Sequence, residues 1–136
     1  MSDSSLILVV EDNITNQLLT SSVLEREGYR VELAGSSVEA LEILRTRKPD
    51  LILMDIQLPG LDGLALTRML KASSDTAAIP IVALTAHAMT GDREQALAAG
   101  CTGYIPKPID TRTFGEQVRG FLATAMAPAS RAWIHD

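Results

Sequence analysis

The chain has 136 residues, 46% of them hydrophobic and 21% charged, with a formal net charge of −5 and one cysteine. That length suits a single domain whose buried core needs no disulfide or metal staple, and the composition is far from that of a disordered chain. No run of Lys and Arg supplies the electrostatic footprint of a nucleic-acid binder, so direct DNA or RNA contact is not expected. The start Met1-Ser2-Asp3-Ser4-Ser5 is acidic and polar where a secretory leader is basic. The apolar run at 6–10 that follows is too short to span a membrane, so a cytoplasmic protein with no membrane partner is expected. Cys101 lacks a second cysteine for a disulfide or a metal pair and reads as a small buried apolar residue rather than a redox group.

Short apolar runs alternate with amphipathic stretches along the chain. The runs cover 6–10, 29–34, 51–54, 81–84 and 103–105, and read as five strands. The first, third and fourth are continuously apolar, as strands buried on both faces require, whereas the second alternates around Val31 and Leu33 as an edge strand does. Helices are predicted over 14–27, 38–47, 63–71, 92–99 and 111–124. Gly28 and Gly100 stand where helices need a left-handed closing residue, and Ser36 with Glu39 fits a capping box. Strict βα alternation implies a parallel sheet with right-handed crossovers and helices on both faces. The expected fold is therefore α/β, a flavodoxin-like doubly wound (βα)5 sandwich with strand order 2-1-3-4-5. It spans 1–124, followed by a short tail at 125–136 that contains Pro128 and an isolated Trp133. That tail reads either as mobile or as docking through Trp133 on the domain or a partner.

Ligands of open α/β sheets bind beyond the carboxyl ends of the strands, where the strand order reverses. Here the first strand runs into Glu11-Asp12, the third into Asp55, the fourth into Thr85 and the fifth into Lys107. Carboxylates crowded together repel one another unless a positive charge compensates. An oxygen-only set of this kind suits Mg²⁺, and Lys107 adds a mobile ammonium able to pair with Asp55 or with a phosphoryl oxygen. Asp55 ends a central strand before a loop with Pro59 and Gly60 that leaves its face open, which makes it the candidate nucleophile for a phosphoryl group. Mg²⁺, Lys107 and the Thr85 hydroxyl suffice to position and neutralise such a group. Singly, each residue has an ordinary reading: Asp12 as a helix cap, Thr85 as a turn former, Lys107 as a surface lysine. Together they would require four coincidences.

The segments Val9-Val10-Glu11-Asp12-Asn13, 53–63 with Asp55, Leu84-Thr85-Ala86-His87-Ala88 and Lys107-Pro108-Ile109 resemble receiver domains of two-component response regulators. The resemblance covers about residues 5–124 and is strongest to stand-alone cell-cycle regulators and to receivers of hybrid histidine kinases, through the stretch 85–103. It implies that Asp55 accepts the phosphoryl group and that Glu11, Asp12, Asp55 and the backbone carbonyl of Gln57 hold Mg²⁺. It further implies that Thr85 and Lys107 contact the phosphoryl group, that Tyr104 is the switch aromatic, and that the Lys107-Pro108 bond is cis. Gln57 and His87 occupy variable positions that tune the lifetime of the phosphoryl group.

By that resemblance the donor is a sensor histidine kinase or histidine phosphotransfer protein, and the output is a protein effector. Phosphorylation would draw Thr85 inward, Tyr104 would follow, and the effector would read the face of the fourth helix, fifth strand and fifth helix. The protein is not expected to be an enzyme, although it assists its own phosphorylation and dephosphorylation. The start at Met1 favours a stand-alone regulator over an excised receiver. Two alternatives share the chemistry or the fold. A haloacid dehalogenase-like phosphatase would carry a second Asp where Gln57 stands, and a phosphorylation-independent interaction module would be expected to lack some of the site residues. Neither nucleotide-binding glycine motif occurs.

Overall fold

The structure, a computed structural model, describes residues 5–56, 63–85 and 91–126. Its elements are β1 (Leu6–Val10), α1 (Ile14–Arg26), β2 (Arg30–Ala34), α2 (Ser37–Thr46), β3 (Leu51–Asp55), α3 (Gly63–Ala72), β4 (Ile81–Thr85), α4 (Asp92–Ala99), β5 (Gly103–Pro106) and α5 (Phe114–Met126). The five strands form one parallel sheet in the order β2-β1-β3-β4-β5, as expected.

The strand pleat divides the apolar residues between two layers. Leu8, Val10, Ile52, Met54 and Ala83 meet Ala40 of α2, Leu66 and Leu70 of α3 and Ala96 of α4. On the opposite face Ile7, Val9, Leu53, Val82 and Leu84 meet Val23 and Leu24 of α1 and Phe114, Val118 and Leu122 of α5. Every residue of β1, β3 and β4 is buried, which explains their continuous apolar sequence. β2 lies at the sheet edge, as its alternating sequence predicts, and is only partly covered: Leu33 is exposed, because β2 has a strand neighbour on one side only. Cys101 is buried as read, and burial pushes its thiol up, away from the reactive thiolate form.

Local signals set the helix ends. Gly28 and Gly100 adopt positive φ of 98° and 114°, closing α1 and α4 as predicted. Ser36 caps α2 by accepting from the Glu39 N–H, but the Glu39 carboxylate returns to the Gly35 N–H, one residue before the one a capping box would use. Helix α5 starts at Phe114, later than expected, because the Asp110 carboxylate accepts from Arg112 N–H and the Asp110 carbonyl from Thr113 and Phe114, holding 111–113 in a turn. It then runs on to Met126, past the expected boundary at 124. None of the described helices is long and apolar enough to cross a membrane. Gln57, Pro59, Gly60, His87 and residues 127–136 of the expected tail, with Pro128 and Trp133, lie outside the described residues.

Candidate functional site

Strand register sets the geometry of the site. Val10 pairs with Met54, Asp55 with Leu84 and Thr85 with Pro106, so the carboxyl ends of four strands finish nearly level. Glu11, Asp12, Asp55, Thr85 and Lys107 therefore emerge along one edge, across the point where strand order reverses between β1 and β3.

Glu11, Asp12 and Asp55 converge, each offering a carboxylate oxygen within 4.8 Å of the others. Glu11 and Asp55 are buried and Asp12 is exposed, so the cluster opens to solvent on the Asp12 side. The Lys107 ammonium donates to Glu11 Oε1 at 3.0 Å and to Asp55 Oδ2 at 3.1 Å. Its pairing with Asp55 was expected; its second bond, to Glu11, was not. Thr85 is buried one residue beyond the Asp55 partner on the adjacent strand, and its carbonyl accepts from the Lys107 N–H at 2.7 Å. The Lys107-Pro108 bond is cis, as expected.

The electrostatics follow from this crowding. Burial pushes the Glu11 carboxyl above its ordinary value; the hydrogen bond from Lys107 opposes the shift and the charge of Asp55 adds to it. For Lys107, burial favours the neutral amine, but the bonds to Glu11 and Asp55 and their charges outweigh it and hold the ammonium above its ordinary value. One ammonium thus faces three carboxylates, a balance that leaves room for a second cation. The donors are all oxygen and one side is open, which fits a hard ion such as Mg²⁺ that keeps some of its waters.

Three supports were not read from the sequence. The cap of α1 is Asn13, whose side chain accepts from Asn16 N–H at 2.9 Å, so Asp12 does not serve as the helix cap. Gln17 Nε2 donates to the Glu11 carbonyl at 2.6 Å, bracing the acidic loop from α1. Gly63 packs its Cα on the backbone of Asp55 and Ile56, so α3 begins directly behind the candidate nucleophile. Asn13 was legible in principle as an N-cap residue type; the contacts of Gln17 and Gly63 depend on packing between elements.

The sequence profile of the response regulator receiver domain matches residues 7–119, five-sixths of the chain. The chain belongs to the response regulator receiver family. It is 43% identical over 119 residues to the polar-differentiation response regulator DivK of Brucella ovis, covering 88% of this chain and 97% of that protein. DivK of Brucella suis is equally similar. Among solved structures it resembles the receiver domain of the sensor histidine kinase PA1611 from Pseudomonas aeruginosa PAO1, with a TM-score of 0.81 and 37% identity over 89% of this chain and 99% of that one. That structure holds a magnesium ion coordinated in its active-site cleft. A putative response regulator from Chloroflexus aurantiacus gives a TM-score of 0.85 and 30% identity over 89% of this chain and 99% of that one. This receiver is thus a two-component signalling domain of the DivK type, and neither the phosphatase nor the phosphorylation-independent module is better supported.

Proposed function

We propose that this receiver takes a phosphoryl group onto Asp55 from a histidine kinase or histidine phosphotransfer protein and passes the signal to a protein effector. The observation that carries the reading is the Lys107 ammonium bridging Asp55 and Glu11 beside a carboxylate cluster open at Asp12. Glu11, Asp12, Asp55 and the Gln57 carbonyl would hold Mg²⁺, which supplies charge neutralisation for the transferring phosphoryl group when bound. An Asp55 carboxylate oxygen attacks phosphorus, the P–O bond forms as the phosphohistidine P–N bond breaks, and the departing imidazole retains the electron pair and takes up a proton. Lys107 exchanges its bond to Asp55 for one to a phosphoryl oxygen, and the Thr85 hydroxyl moves to another. The protein accepts the group and assists its removal without turning over a separate substrate.

The phosphodonor has an apolar surface to dock on beside this crevice: Ile14 and Leu18 lie one turn apart on α1 and are 69% and 59% exposed. The effector reads the α4-β5-α5 face, where Tyr104, Glu116, Gln117, Gly120 and Phe121 line a shallow groove of about 330 Å³. The protein acts in the cytoplasm, where histidine kinases expose their phosphoryl groups.

The test is intact-mass spectrometry of wild type and Asp55→Asn after incubation with acetyl phosphate, with and without Mg²⁺. One added phosphoryl group that requires both Asp55 and Mg²⁺ is expected. No adduct under conditions where rapid hydrolysis is trapped would support the phosphorylation-independent module instead.

A further inference from the structure

The Arg93 guanidinium carbon lies 5.4 Å from the centroid of the Tyr104 ring, within cation–π range. Arg93 is the second residue of α4, where the positive end of the helix dipole disfavours a cation, so helix stability does not explain its presence there. The ring is partly buried: it packs on the α2-α3-α4 layer of the core and also borders the groove formed with Glu116, Gln117, Gly120 and Phe121 of α5. Tyr104 is thus held from α4 by Arg93 and from α5 by the groove; on β5 it pairs with Ala83, two residues before the pair of Thr85 with Pro106.

We propose that Arg93 is a positioning residue that latches Tyr104 in its resting, groove-lining place and so sets the threshold at which the site switches. This rests on the reading of Tyr104 as the aromatic that follows Thr85. Moving the ring toward Thr85 breaks its contact with Arg93, so the latch stabilises the unmodified state alone. Ligands that favour the inward ring must overcome it, and by linkage its removal raises their affinity by the same factor. A cation–π contact at a partly exposed site corresponds to a shift of about two- to five-fold in that equilibrium.

The experiment uses the full chain labelled with 3-fluorotyrosine. The two tyrosines give two resonances, and Tyr29→Phe assigns the one from Tyr104. Beryllofluoride with Mg²⁺, a stable mimic of a phosphoryl group on a carboxylate, is titrated into wild type, Arg93→Ala and Arg93→Lys. Arg93→Ala is expected to bind about two- to five-fold tighter, with the free-state Tyr104 resonance displaced toward its bound position, and Arg93→Lys to fall between. Loss of a positive charge alone would weaken binding of an anion, so the direction separates the latch from simple electrostatics. In a Tyr104→Leu background the Arg93→Ala effect vanishes if the two residues act through one contact. If wild type binds the mimic and its Tyr104 resonance moves, yet Arg93→Ala alters neither affinity nor resonance, the latch is overturned and the receiver mechanism stands. If wild type binds no mimic at Asp55, the receiver mechanism fails and the latch falls with it.

Discussion

A Cβ on Gly63 would collide with the carbonyl oxygen of Asp55, closer than side-chain carbons approach backbone. Helix α3 can lie directly behind the candidate phosphoacceptor only because its first residue has no side chain. Gly63→Ala must push α3 or the end of β3 aside. We expect it to destabilise the fold by about 1–3 kcal/mol, as overpacking does, although alanine favours helices more than glycine. Urea denaturation measures that loss, and slower phosphorylation by acetyl phosphate would report the displacement of Asp55. A Gly63→Ala protein with wild-type stability and rate would show that the contact relaxes freely.

Lys107 holds two buried carboxylates that otherwise face each other and Asp12. Lys107→Met removes that cation and leaves the acids uncompensated. In the absence of divalent ions the variant should lose roughly 1.5–3 kcal/mol of stability, the usual range for hydrogen bonds to charged groups. Mg²⁺ should restore much of the loss, because it no longer competes with the ammonium and binding to the folded state alone stabilises it. Thermal melts with and without Mg²⁺ test both halves; a variant equally destabilised in both conditions would mean that the lysine acts through packing alone.

Glu11 carries a pH dependence whose sign is fixed. Its folded-state pKa lies above the ordinary value of 4.5, chiefly through burial, so its contribution to stability is present below that value and is lost as pH rises through the raised one. Replacing it with Gln should therefore remove a downward slope of stability with pH in the window just above 4.5. Metal binding runs the other way, since a protonated carboxyl is a poor ligand. Mg²⁺ affinity should decline on acidification at a pH above the ordinary glutamate range, as calorimetric titration across that window would show. The Lys107 shift is also upward, so the contribution of its ion pairs persists below 10.5 and is lost only as pH rises through its higher folded-state value.

Tyr104 borders the groove on the α4-β5-α5 face and packs on the core at the same time, so its ring can report one side to the other. With Tyr104→Ala, an effector that distinguishes phosphorylated from unmodified protein should lose most of that discrimination, while phosphorylation of Asp55 continues. Binding of the phosphorylated and unmodified forms to a purified effector gives the ratio directly. An undiminished ratio would remove Tyr104 from the signalling path.

The strand order, the two-layer core and the convergence of Glu11, Asp12, Asp55, Thr85 and Lys107 were all legible in the sequence, because each follows from apolar runs and from which residue ends each strand. What escaped depends on contacts between elements. The start of α5 shifted to Phe114 because Asp110 holds the preceding turn, a competition between side-chain and helical hydrogen bonding that periodicity does not show. The pair of hydrogen bonds that Lys107 donates to Glu11 and Asp55 requires knowing how far β5 stands from β1 and β3. Arg93 over Tyr104 requires the crossing of α4 over β5, and nothing in the spacing of the two residues announces it.

Neighbours Asp12 and Asn13 separate two roles that sequence alone could have assigned to either. Asn13 caps α1 through its side chain, whereas Asp12 is exposed and contributes an oxygen to the acidic cluster. Asn13→Ala should cost about 1 kcal/mol of stability, as loss of an N-cap does, with little direct effect on the charge of the site. Asp12→Asn keeps the size of the side chain and relieves repulsion from Glu11 and Asp55, so stability should change by less than about 0.5 kcal/mol or rise slightly. Its Mg²⁺ affinity should fall by tenfold or more if the proposed carboxylate ligand is lost, on the order of the 1.4 kcal/mol that a tenfold change represents. Measuring denaturation midpoint and Mg²⁺ affinity for both variants yields a crossed pattern if the assignment is right. If Asp12→Asn instead weakens the fold while leaving Mg²⁺ affinity intact, the ion is held by Glu11 and Asp55 without it, and the open side of the cluster admits only water.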